Sequence, residues 1–201
     1  TEESPESMAQ VFAALYPGGH IPHWKRLWIK VRTLTFEIAS FNQLIHFYMV
    51  VPTSFQTFIE SQITSQYPKI LVSKVPDYIG NITKSPYLAI GNLQLAFPFY
   101  YPIKTFKEFK DLDPLSSIVG VMSKFKINEN GIIQIVIEPP HFNWQAMAYR
   151  KITKGMPDPT PNAPNRVKQL PHARLIEEKA NQTGFRTYIR IMIGAETNQE
   201  A

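Results

Sequence analysis

A chain of 201 residues with 44% hydrophobic content, including 13 Phe, 9 Tyr and 3 Trp, has the length to bury roughly 70% of the surface its unfolded form exposes, as one large domain or two small ones. Its charged content of 18% is below the usual quarter, so the surface is unusually uncharged and part of it is suited to cover by a partner. The net charge of +5 favours anionic partners, and the lack of cysteine excludes disulfides and thiolate chemistry without fixing a compartment.

Met8, Val11, Phe12 and Leu15 recur at the spacing of one helical face, so Ser7 to Leu15 is expected as a short helix ended by Tyr16-Pro17-Gly18-Gly19. From Leu27 the pattern turns extended. Ile29 and Val31, then Leu34, Phe36 and Ile38, alternate with polar residues, and a change of parity near Thr33 reads as a bulge. Ser40 to Gln43 forms a hairpin turn, and Ile45, Phe47, Met49 and Val51 line one face of the returning strand. Pro52 stops it. Thr53 or Ser54 is placed to cap a helix whose stripe is Phe55, Phe58, Ile59, Gln62, Ile63 and Tyr67. Ile70 to Val75 follows as a strand, which makes the order strand, strand, helix, strand part of a split βαβ arrangement.

After the turn-rich Pro76 to Pro86, Tyr87 to Phe97 reads as a strand with Gly91-Asn92 as a bulge candidate, and Thr105 to Phe109 as a helical turn. Asp113-Pro114 opens a helix that buries Leu115, Ile118, Val119, Met122 and Phe125, with Gly120 as a close helix contact. Asn128 to Gly131 is a turn, Ile132 to Glu138 a strand, and Asn143 to Lys154 a helix closed by Gly155. Met156 to Pro171 holds five prolines and is expected as a mobile or polyproline-like connection. A helix, Ala173 to Asn181, and a strand, Gly184 to Ala195, then return to the sheet. The expected fold is α+β: two ferredoxin-like (split βαβ) halves, with an antiparallel or mixed sheet and helices packed on one face. The halves are 1–86 and 87–155, followed by the connection 156–171 and the returning unit 172–201.

The residues that announce an enzyme are not assembled. No Gly-rich run leads into Lys and Ser/Thr, His20 and His23 lack further ligands, and His141 reads as structural. His46 is expected to face solvent or a partner. Glu37, Glu60 and Glu138 are solitary carboxylates without the second acid that acid/base chemistry needs. No catalytic, cofactor or metal residue is assigned. From Tyr149 to Arg174 six basic residues stand against one acid, Asp158, which equals the whole net excess. With Trp24, Trp28, Trp144 and Tyr100-Tyr101 for stacking, this charge makes Lys25, Arg26, Lys30, Arg32, Arg150, Lys151 and Lys154 the candidate contacts for nucleic acid or a partner. Solvated loops and core packing are the commoner uses of such residues. The longest apolar run, Leu44 to Val51, contains His46 and falls far short of the roughly 20 residues a spanning helix needs.

The blocks MAQVFAAL, FEIASFNQLIHFYMVVP, FIESQITSQYP, YYPIKTFKEFKDLDPLSSIVGVMSKF, IIQIVIEPP with Trp144, and GFRTYIRIMI span nearly the whole chain. Together they resemble the N-terminal region of bacterial conjugation-type ATPases, the TraC-like members of the HerA–FtsK superfamily associated with type IV secretion. The resemblance implies a membrane-proximal assembly domain on the cytoplasmic side, often after a transmembrane segment and ahead of a RecA-like motor. ATP and Mg would belong to that motor and not to this fragment. The partners it implies are the motor domain of the same chain, the membrane complex or neighbouring subunits, with DNA and full-length oligomers further candidates. The start at Thr1 with TEESPES and the close in ETNQEA fit an excised piece of such a protein.

Overall fold

The computed structural model describes residues 5–15, 33–109, 113–157 and 167–196. The segment around Leu27 to Arg32, with Lys25, Arg26, Lys30, Trp24, Trp28, His20 and His23, lies outside the described residues. The fold is α+β. Helix α1 (Pro5–Leu15) precedes the hairpin β1 (Leu34–Phe41) and β2 (Leu44–Val50), then a 3-10 turn and helix α2 (Gln56–Gln66). Helix α3 (Ile79–Thr83), strand β3 (Tyr87–Leu93), helix α4 (Pro114–Met122) and strand β4 (Asn130–Glu138) follow. Helix α5 (Trp144–Lys154), the two-residue strands β5 (Met156–Pro157) and β6 (Val167–Lys168), helix α6 (Ala173–Ala180) and strand β7 (Arg186–Ala195) complete the order.

Five strands form one sheet in the order β2-β1-β4-β7-β3, every neighbouring pair antiparallel. Strands from both expected halves and from the returning unit therefore share a single sheet. Since β3 and β4 both run opposite to β7, they are parallel to each other with β7 between them, so β3–α4–β4 is a split βαβ unit. The hairpin turn is Asn42-Gln43, both residues at positive φ, the geometry that matches the twist of the flanking strands.

The core divides by face. On one face Val11 and Leu15 of α1 and Ile59 of α2 pack over Leu34 and Ile137, while Ser40 donates to the Met122 carbonyl of α4 at 3.2 Å. On the other, Ile82 and Ile79 of α3 cover Ala39, Ile132 and Met192. The expectation of helices on one face thus holds for α1, α2 and the end of α4, whereas α3 caps the opposite side. Strand β7 has apolar residues of both parities to bury, Ile191 and Met192 among them, and a single helical layer would leave Met192 in water.

Several local expectations are corrected. Residues 70–75 form no strand and are exposed, with Leu71 94% accessible, and pair with no strand among the described residues. Their apolar side chains alternate with too few polar ones to select a face. Neither Thr53 nor Ser54 caps α2; the 3-10 turn Thr53–Phe55 occupies that position and satisfies donors through the backbone instead. Strand β3 stops at Leu93, short of Phe97, and its register against β7 is continuous, so no bulge forms at Gly91-Asn92. Leu115, in the first turn of α4, is exposed rather than buried; Asp113 caps that turn by accepting from Leu115 N at 2.9 Å. Gly120 has no neighbour within 4 Å of a notional Cβ, so it is not a close contact. Part of the Pro-rich connection is held, since Met156–Pro157 pairs with Val167–Lys168.

Candidate functional site

The most elaborated surface lies where the loop after β3 meets α6. Helix α6 buries Ala173, Ile176 and Ala180 at i, i+3 and i+7, and α5 buries Trp144 and Ala148, with Ile152 partly covered one turn on. Asn143 caps α5 by accepting from Ala146 N at 3.0 Å, and Gly155, at φ 60°, ends it. The two helices are joined by Tyr149, whose hydroxyl donates to Asn181 Oδ1 at 2.6 Å. Gly184 lets the Trp144 ring pass directly over the backbone, since a Cβ there would meet Cζ2 at 2.7 Å.

Onto this pair folds the aromatic loop. Phe99 and Tyr100 meet edge-on at 5.6 Å between centroids, Phe99 and Phe142 at 5.4 Å, and Tyr100 leans on Tyr101 at 5.0 Å. Lys179 fixes the loop from the α6 side: its ammonium donates to the carbonyls of Phe99 at 2.6 Å and Tyr101 at 2.9 Å. The group is half-buried, and that burial lowers its pKa below the ordinary lysine value.

The loop and the start of α6 enclose an open cleft of about 530 Å³. Phe97, Tyr101, Pro102 and Ile103 form one wall and Pro171, His172 and Leu175 the other, with Lys104 and Glu108 at the rim. His172 adopts a left-handed conformation, φ 60°, which turns the chain from Pro171 into α6. Phe97 and Ile103 are about two-thirds or more exposed, at 72% and 67%. Such a cleft, with flat rings, prolines and few charges, suits an extended apolar or proline-containing peptide.

A second cluster is buried in the sheet. Glu37 is 2% exposed and accepts from Gln134 Nε2 at 2.6 Å and from the Tyr78 hydroxyl, which closes a short hydrogen bond. The Tyr78 ring stacks on Tyr48 at 4.2 Å, and Tyr48 in turn lies parallel to His46 at 5.7 Å. Burial first, then the hydrogen bond to Glu37 and that carboxylate's charge, push the Tyr78 phenol well above its ordinary range. Two neutral donors and a closed aromatic stack make this an anchor for α3 on the sheet.

Of the residues singled out in the sequence, Arg150, Lys151 and Lys154 are together on the exposed side of α5, the last two in its final turn, where cations oppose the helix dipole. Trp144 is core, Tyr100 packs against that same core cluster, and Tyr101 lines the cleft. His141 bonds Glu138 at 2.8 Å, and Arg186 approaches the same carboxylate at 3.6 Å. Among the described residues no group of three or more metal-binding side chains converges. No helix there is long and apolar enough to cross a membrane. Glu37 was visible in the sequence only as a solitary carboxylate on the polar face of β1, because its burial comes from α3 covering that face, and Lys179 was hidden among ordinary helical charges.

Residues 2–201 match the family described as Domain of unknown function (DUF8128). The chain belongs to this family. No curated protein and no solved structure matches it. DUF8128 thus covers the cleft, the buried carboxylate and the sheet in one unit.

Proposed function

We propose that the chain is a non-catalytic assembly domain that docks a protein partner in its aromatic cleft. By the resemblance of its blocks, the machine it serves is a membrane-associated translocating ATPase of the conjugation or type IV secretion type, with this domain on the cytoplasmic side. The observation that carries the reading is the cleft itself: exposed Phe97 and Ile103 flank a loop that a lysine holds through two carbonyls, opposite exposed Leu175 of α6. Rigid aromatic anchors of this kind supply contact area at low entropic cost.

The test is a calorimetric titration of the purified chain with the motor domain encoded in the same reading frame. Leu175→Glu, on an exposed cleft wall, is expected to weaken binding at least about tenfold, or 1.4 kcal/mol, with the circular dichroism spectrum unchanged. Equal affinity of the variant, or a reading frame without a phosphate-loop motor, would remove this reading. A second reading, nucleic-acid binding, is supported by the shared exposure of Arg150, Lys151 and Lys154 on α5. It requires binding of single- or double-stranded DNA that falls steeply with salt and is lost when the three are replaced by Gln.

A further inference from the structure

Strand β3 is an outer edge of the sheet and has no neighbour beyond it among the described residues. Sheet proteins normally guard such an edge with a lysine, a proline, a bulge or a very short strand. Here the strand is seven residues long, its register is unbroken, and no residue from Ser85 to Ile103 carries a charge. Tyr87, Leu88, Ile90 and Leu93 are all exposed, Ile90 at 59%, so apolar side chains project from both faces of the edge. Gly91 sits in the middle of it without any local reason to be glycine. Its φ is not positive, it makes no bulge, and nothing lies within 4 Å of where a Cβ would stand. A strand glycine that needs neither freedom nor room within its own chain is the kind often found where another backbone approaches closely.

We infer that β3 pairs antiparallel with β3 of a second copy of this chain, around a twofold axis at Ile90. The strand's own order selects that occupant. About this axis Tyr87 faces Leu93, Ala89 faces Gly91 and Ile90 faces itself, so large residues meet large and small meet small on each face, with Leu88 opposite Asn92. A chain with a net charge of +5 meets its copy here through a strip without charge, where like-charge repulsion is smallest. The twofold operation closes: it joins two five-stranded sheets into one of ten and leaves no β3 edge free to extend. This pairing uses a different surface from the cleft and stands or falls separately from it.

The chain has no cysteine, so an Ile90→Cys variant can form a disulfide only between copies. Residues directly opposite in an antiparallel pair have Cα atoms about 4.5–5.5 Å apart, within disulfide reach. The expected result is a disulfide-linked dimer on a non-reducing gel after mild oxidation, with Phe47→Cys on the other edge, β2, remaining uncrosslinked. Light scattering on the eluting parent chain should give twice the monomer mass at high micromolar concentration. Ile90→Lys should weaken that dimer at least about tenfold, and mixing it with Ile90→Glu should restore it. A monomeric parent, crosslinking at Phe47 instead of Ile90, or an undiminished Ile90→Lys dimer would overturn the inference. If Ile90→Lys does not fold, as judged by circular dichroism, the cysteine pair decides.

Discussion

Glu37 is a carboxylate with almost no solvent and two neutral donors, and its stability depends on both. Removing the Tyr78 hydroxyl leaves one oxygen short of a partner in a site from which water is excluded. Tyr78→Phe is therefore expected to cost about 1.5–3 kcal/mol, the range for hydrogen bonds to charged groups, as read from urea denaturation at neutral pH. The same variant has a signature in alkali. The folded state holds the phenolic proton more tightly than the unfolded state, whose phenol titrates at about 10, so the contribution is whole below that pH. As pH rises past it the unfolded chain ionises first and stability falls; Tyr78→Phe should lack this part of the decline. Lys179 acts in the opposite sense, its proton being held less tightly when folded, which is why the variant must be compared with the parent at each pH. If the two alkaline slopes coincide, Tyr78 does not carry the bond assigned to it.

Among the elements, α6 does two jobs from one short amphipathic run. Ala173, Ile176 and Ala180 pack inward, while Lys179, one position before Ala180, reaches the backbone of a loop some eighty residues upstream. Among the described residues, the hydrogen bonds that tie Phe99 and Tyr101 to α6 both come from Lys179, so the cleft's shape follows that ammonium. Lys179→Met keeps the length and apolar stem of the side chain but drops both donors. It should leave the sheet intact, speed hydrogen exchange across residues 99–103, and weaken partner binding in the cleft. Exchange as slow as in the parent would show that the ring contacts alone hold the loop. The change is also expected to lower global stability by only about 1–2 kcal/mol, because it relieves a desolvated charge as it removes the bonds.

At the scale of the whole molecule, the parts written in short-range pattern were legible and the parts that depend on distant partners were not. The stripe of α1, the Asp113-Pro114 start of α4, the Asn143 and Gly155 ends of α5 and the strand character of β7 are local features, and each stands where its residues put it, although the burial of Met192 on β7 does not follow the strand's alternation. Ile70 to Val75 has the same strand-like composition as β4 yet pairs with no strand among the described residues, since a strand exists only where a neighbour is offered. The cleft needed both the aromatic loop and α6 in view, and neither carries a motif. Strand order could not be read from local pattern either, and it has a bearing on how the protein is made. Strand β7 is the last of the five to be synthesised, yet it lies between β3 and β4. A ribosome delivering the chain N-terminus first can zip β1, β2 and β4, but it leaves β3 stranded without a ladder until β7 emerges. In pulse-labelling during refolding, the amides of β3 and β7 should gain protection together and after those of the β1–β2 hairpin. Until that late insertion the free edge of β4 and Ile132, which Met192 covers in the finished fold, stand bare to the solvent, which makes the nascent chain a natural client for holdase chaperones.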